Sequence, residues 1–199
     1  GRARAVLRTE LAIRDLFEAP TVADLAERVH QKAEGELRPA LTRRERPERV
    51  PLSFAQRRLW MLDQLLREDD GPRDAYHLPL AVRLRGDLDR AALEAAIGDV
   101  VTPHESLRTV FAEHDGAPYQ RILPPDEARP ALEIATCPPE EVIARPFDLS
   151  RDLPLRVAVF PEGEDEHLLL AVFHHIAFDE WSFGPFARDV AEAYAARLG

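Results

Sequence analysis

With 199 residues, 45% hydrophobic and 31% charged, the chain has a globular composition and the length to bury one core of ordinary domain size. A formal net charge of -10 and a pI near 5.2 argue against nucleic acid as a partner, because phosphate binding needs clustered positive charge. Cys137 is the only cysteine, no apolar run is long enough for a bilayer, and the basic opening from Gly1 to Arg8 lacks the apolar core of a secretory signal. The expectation is a cytoplasmic chain with no membrane partner and no multi-cysteine metal site.

The opening has helical character to Leu7, and Glu10 to Phe17 reads as a short connecting helix broken by Pro20. Thr21 to Val29 restarts a helix with Thr21 as N-cap, Asp24 in the capping-box position, and Val22, Leu25 and Val29 along one face. From Gln31 to Arg49 the apolar period disappears, charges accumulate, and Pro39 and Pro47 interrupt the chain, which reads as a linker.

A second region starts at Val50. Ser53 can cap a helix through about Leu66, with Leu59, Leu62 and Leu66 on one face and Arg57, Arg58 and Gln64 largely off it. Leu78, Leu80, Val82 and Leu84 alternate with polar or small residues, a half-buried strand whose Pro79 belongs near its start or on a sheet edge. Gly86 to Asp89 turns into a helix with Leu93, Ala96, Ile97 and Val100 on one face, stopped by Pro103.

Strands are expected at Leu107 to Phe111 and Tyr119 to Leu123, joined through the hairpin pair Asp115-Gly116, and a further one at Leu132 to Ala135. A helix near Pro139 to Arg145 precedes Leu155, Val157 and Val159, an acidic turn from Glu162 to Glu166, and the strand Leu168 to Phe173, expected as an antiparallel pair. The last helix starts near Pro185 with Phe186, Val190 and Tyr194 at helical spacing. Mixed helices and hairpins predict an open α+β architecture rather than a strict βαβ array.

Chemistry is most concentrated where His174 and His175 close the apolar strand and Asp179 follows. Neighbouring side chains on a strand diverge, so one histidine should face a given cavity while the other holds structure. On the residues alone the pair can be hydrogen-bonded core histidines, a general base, or metal ligands, the last being weakest because the rings diverge and no further ligand cluster has metal spacing. Asp179 could orient an imidazole, cap the last helix, or pair with an arginine. His104, Glu105, Arg108 and Thr109 form a second polar cluster that alone reads as a solvated helix end, and Gln56, Arg58 and Trp60 alone read as part of an amphipathic helix. Phosphate loop, serine nucleophile elbow and aromatic-basic platform are all lacking, and Cys137 has no basic neighbours to activate it.

Taken in order, Ser53-Phe-Ala-Gln56-Arg-Arg58-Leu-Trp60, His104-Glu105-Ser-Leu107-Arg108-Thr109-Val-Phe111, and His174-His175-Ile-Ala-Phe-Asp179-Glu-Trp-Ser182 closely resemble the first three motifs of condensation domains from nonribosomal peptide synthetases, over Val50 to Gly199. Glu10 to Val29, with Leu16-Phe-Glu-Ala-Pro-Thr-Val-Ala-Asp-Leu-Ala26 inside it, looks like the last helices of a peptidyl carrier domain. The resemblance implies residues 1–30 as a carrier-domain end, 31–49 as a linker, and 50–199 as the amino-terminal lobe of a chloramphenicol-acetyltransferase-like fold, with a mixed, largely antiparallel sheet and packed helices.

The family reaction joins a carrier-bound aminoacyl or peptidyl thioester to the amine of a second carrier-bound aminoacyl thioester. By resemblance His175 is the catalytic residue, as general base or by positioning the amine, while His174 and Asp179 are structural and His104, Glu105, Arg108, Gln56 and Arg58 are motif support. The implied partners are donor and acceptor peptidyl carrier domains, the carboxy-terminal lobe and a downstream adenylation domain. The implied cofactor, 4'-phosphopantetheine, rides on the carriers, with no attachment serine, cofactor-binding residue or metal ligand expected in this chain.

A carrier directly upstream implies an L-configured donor, and one lobe alone is expected to be inactive. Glu180 stands where the motif has glycine, and Pro103 where it has arginine before His104-Glu105. Two other readings stay open: an acyltransferase of the same superfamily using coenzyme A thioesters, and a non-catalytic lobe that docks carriers.

Overall fold

The computed structural model describes residues 13–32, 42, 45–68 and 74–199. The expected helical opening to Leu7, the first residues of the connecting helix and the interior of the linker lie outside them. The chain divides into two compact units, Gly1–Arg46 and Pro47–Gly199.

In the first unit α1 spans Ile13–Glu18 and α2 spans Val22–Lys32. Thr21 Oγ1 accepts the Asp24 backbone N–H at 3.1 Å and donates to the Asp24 carboxylate at 2.6 Å, the expected capping box with aspartate in the third position. Asp15 is 3% exposed and accepts from Arg28 Nε at 3.0 Å, tying the helices together. The second helix runs to Lys32, into the stretch expected as linker, because no proline or glycine stops it there. Leu25 and Val29 are half-buried, whereas Val22, expected on their face, stands 87% exposed at the helix start.

The second unit opens with β1 (Val50–Pro51) and α3 (Phe54–Glu68). It continues through β2 (His77–Arg85), α4 (Arg90–Val101), β3 (Thr109–His114), β4 (Ala117–Ile122), β5 (Leu132–Ile134) and α5 (Pro139–Ala144). A hairpin of β6 (Leu155–Pro161) and β7 (Glu166–His174) leads to the terminal helix α6 (Phe183–Leu198). The strands form a three-stranded sheet ordered β1-β4-β3 and a four-stranded sheet ordered β2-β7-β6-β5. Every pairing is antiparallel except β5 with β6.

Sequence chemistry accounts for most boundaries. Asp89 caps α4 by accepting the Ala92 N–H at 2.9 Å. The β3–β4 hairpin turns on Asp115 at φ 51° and Gly116 at φ 74°, both left-handed as a two-residue turn of this kind requires. Pro79 sits near the start of β2, a sheet edge where its missing N–H is tolerated. Leu107 and Arg108, expected in a strand, belong instead to a 3-10 turn, Glu105–Arg108, because the Arg108 and Thr109 side chains bond back to preceding backbone carbonyls there.

The four-stranded sheet is covered on both faces. Val157, Val159, Ala171 and Phe173 point to α4 and α6, joining Leu93, Ile97, Phe186 and Val190 in one core. Ala158, Leu170 and Val172 point the other way, to Phe111, Val142, Phe147 and Ile176, with Leu59 and Trp60 of α3 packed on them. Burial on both faces explains the unbroken apolar run at the end of β7. That strand delivers His174 and His175 to the sheet end.

Candidate active site

The two histidines diverge as their alternation predicts. His174 is 2% exposed, while His175 is exposed at the start of the turn after β7. The His175 backbone N–H donates to the Tyr76 carbonyl at 2.9 Å, pinning the turn to the start of β2. Its Nδ1 lies 2.8 Å from the Phe178 carbonyl. A carbonyl only accepts, so Nδ1 carries the hydrogen and Nε2 is left with its lone pair. An exposed imidazole fixed in that tautomer can take a proton or orient an amine.

His174 does a different job. Its Nδ1 accepts the Ile176 N–H at 3.2 Å, and its carbonyl accepts the Ala177 N–H at 3.0 Å, so it shapes the turn that presents His175. Burial first, then the nearby His77, His175 and Arg67 charges, push its pKa from 6.5 down to about 4. It is a neutral imidazole at physiological pH.

Asp179 meets neither imidazole in a hydrogen bond. Its carboxylate accepts from Ser182 N at 3.1 Å and Ser182 Oγ at 2.6 Å, capping the 3-10 turn Glu180–Ser182 that leads into α6. The last helix itself, which Asp179 was a candidate to cap, has Ser182 at its N-cap with no side-chain cap bond. Glu180 is exposed at the start of that turn.

The second motif borders the third. His104 Nε2 lies 3.9 Å from Asp189 of α6, and His104 and Ser106 share a pocket of about 310 Å³ with Phe178, Asp179, Trp181 and Asp189. Arg108, whose side chain is 13% exposed, is no solvated helix end. It donates to the Thr102 carbonyl at 3.1 Å and the Leu123 carbonyl at 2.6 Å and pairs with Glu105 at 3.4 Å, clamping the end of α4 to the chain leaving β4. Pro103 is exposed beside this clamp.

The first motif lies on and just before α3, whose Leu59 and Trp60 pack against the cluster that holds Val172 and Ile176. Ser53 and Gln56 form a reciprocal cap at 2.9 and 3.2 Å, and Gln56 reaches Gln120 of β4 at 3.2 Å. Arg58 lies on the exposed side of α3. The residues that sequence reasoning missed are Tyr76, His77 and Phe147. His77 is the register partner of His174 across β2 and β7, a pairing between distant segments with no local signal. Among the described residues, no cluster of three or more His, Cys, Asp or Glu side chains could hold a metal, and no helix is long and apolar enough to cross a membrane.

The family model for the condensation domain matches residues 47–199. Relatives include a probable non-canonical nonribosomal peptide synthetase, CymA, of Salinispora arenicola, 45% identical over 100% of this chain and 3% of that protein. A dimodular nonribosomal peptide synthase of Bacillus subtilis is 46% identical over 99% of this chain and 8% of that protein. The chain therefore spans less than a tenth of either relative.

Among solved structures, the X-domain from teicoplanin biosynthesis is 40% identical with a TM-score of 0.70, over 80% of this chain and 35% of that one. The same kind of domain in complex with OxyB is 43% identical with a TM-score of 0.66, over 81% and 35%. The first condensation domain of the calcium-dependent antibiotic synthetase, in complex with a substrate analogue, is 28% identical with a TM-score of 0.60, over 73% and 37%. The chain belongs to the condensation-domain family. Its fold is the chloramphenicol-acetyltransferase-like fold of those domains, of which it covers the amino-terminal lobe.

Proposed function

We propose that this lobe supplies His175 to amide-bond formation within a modular nonribosomal peptide synthetase. The observation that carries the reading is the exposed His175 imidazole with Nδ1 committed to the Phe178 carbonyl and Nε2 left basic. The acceptor amine attacks the donor thioester carbonyl and Nε2 takes its proton as the C–N bond forms. Collapse of the tetrahedral intermediate breaks the C–S bond, and the proton passes to the departing thiolate. Holding both thioesters on carrier arms makes the encounter effectively intramolecular, which contributes much of the rate.

In this reading residues 1–30 are the end of a carrier domain, 31–49 a linker and 50–199 the lobe. The match to CymA across all of this chain and the compact unit beginning at Pro47 support that division. Donor and acceptor carriers, their phosphopantetheine arms, a carboxy-terminal lobe and an adenylation domain complete the system, and the donor is L-configured. The test supplies the synthetase with loaded donor and acceptor carriers. Dipeptidyl product should require both, whereas equal turnover with free coenzyme A thioesters and no carrier would replace this reading with a free-thioester acyltransferase.

One observation favours a second reading, a lobe that recruits a partner protein without catalysis. The X-domain relatives are more similar to this chain than the condensation domain of the calcium-dependent antibiotic synthetase, and one of them is in complex with OxyB. Undiminished partner binding with no amide formed by loaded carriers would select that reading.

A further inference from the structure

Beneath the His175 turn lies a buried group that the reaction as described does not use. His77 opens β2 directly opposite His174, with ring centroids 6.0 Å apart and planes at 67°. Phe147 packs edge-on against both, at 5.0 Å from His77 and 6.0 Å from His174. His77 is 8% exposed, and its Nδ1 lies 2.6 Å from the Ile143 carbonyl of α5. Nδ1 therefore donates, and the lone pair left on Nε2 is buried with no hydrogen-bond partner. A buried polar atom held without a partner costs free energy, so the site calls for an explanation other than packing.

The ring sits where the start of β2 meets the His175 turn. Tyr76, next to His77, supplies the carbonyl that accepts the His175 N–H at 2.9 Å. His174, packed on the His77 ring, accepts the Ile176 N–H and shapes the same turn. His77 is thus hydrogen-bonded to Ile143 and in ring contact with His174, and the Tyr76 carbonyl and the His174 ring each make a hydrogen bond to the turn that carries His175.

We propose that His77 is a positioning residue for His175, acting through the Tyr76 carbonyl and the His174 ring to hold the basic Nε2 where the acceptor amine arrives. This rests on the condensation reading. Two substitutions separate the parts of the His77 side chain. His77→Phe keeps a ring against Phe147 and His174 but removes the donor to Ile143, whereas His77→Asn places an amide N–H where Nδ1–H stands and gives up the ring.

The experiment uses the full synthetase with loaded carriers and two readouts. Steady-state amide formation by His77→Phe should show kcat lowered about tenfold or more with the acceptor-carrier KM within about twofold of the parent, and His77→Asn should recover most of the loss. Diethyl pyrocarbonate labelling, read at peptide level by mass spectrometry, is independent of turnover. The parent should label at His175 and be protected at His174; His77→Phe should expose His174, and His77→Asn should restore protection.

Unchanged kcat and unchanged labelling in His77→Phe would overturn the proposal, as would equal losses in both variants with KM raised in step. If the parent forms no amide, the condensation reading falls and the labelling alone decides: His174 protection lost in His77→Phe and restored in His77→Asn upholds the positioning role, and any other pattern ends it.

Discussion

Lowering pH should destabilise this lobe through His174. In the unfolded chain its imidazole titrates at the ordinary value of 6.5, and in the folded protein burial and the neighbouring positive groups bring it down to about 4. The folded pKa is depressed, so between those values the unfolded chain binds more protons, and stability present above pH 6.5 drains away as pH falls toward 4. At about 1.4 kcal/mol per pKa unit, the loss attributable to this imidazole is roughly 3 kcal/mol, a large share of a typical domain's stability.

His77, also pushed down chiefly by burial, adds a loss of the same sign. The charged groups around the pair are Asp63 and Arg67 of α3, Asp74 before β2, Arg156 of β6 and His175. Asp63 works the other way, because burial raises its pKa and protonating it relieves a buried charge. A difference measurement removes such contributions. Urea unfolding followed by Trp60 and Trp181 fluorescence, from about pH 7 to about pH 4.5, should show the parent losing more stability than His174→Asn, whose amide oxygen can still accept the Ile176 N–H. A parent-minus-variant difference that stays flat over that range, with equal m-values, would refute a buried neutral His174.

Phe173 is fully buried, stacked on Phe178 with centroids at 3.7 Å and edge-on to Phe186 at 4.9 Å. Phe173→Ala should cost about 3–5 kcal/mol in urea unfolding and Phe173→Leu about 1–2, the latter mostly lost aromatic contact. Arg108→Lys replaces the two guanidinium nitrogens that reach the Thr102 and Leu123 carbonyls with a single ammonium and should cost about 2 kcal/mol, read as a lower melting temperature at unchanged m-value. At Gly116 an added Cβ would meet nothing within 4 Å, so Gly116→Ala should cost only what φ +74° imposes, about 1 kcal/mol by thermal melting.

Local chemistry made much of this molecule legible. Thr21 and Ser53 cap helices as expected, Thr21 with Asp24 in the capping-box position, and Asp115-Gly116 makes the hairpin turn. Alternation at His174 and His175 separated a buried ring from an exposed one, since a strand allows neighbours no shared face. What stayed hidden depends on contacts between distant segments. Nothing near His77 reveals that β2 lies beside β7, and the 3-10 turn at Glu105–Arg108 forms because Arg108 reaches carbonyls at Thr102 and Leu123. Three roles for Asp179 were open in sequence, and the contact it makes is a fourth, a cap on the short 3-10 turn through the Ser182 N–H and hydroxyl.

The central claim is that His175 acts in amide formation. Its most direct test is intact mass spectrometry of the acceptor carrier after reaction with a loaded donor, comparing the native-length synthetase with its His175→Ala variant. The account predicts a dipeptidyl mass on the acceptor with the parent and its loss with a folded variant; equal product from both would contradict it.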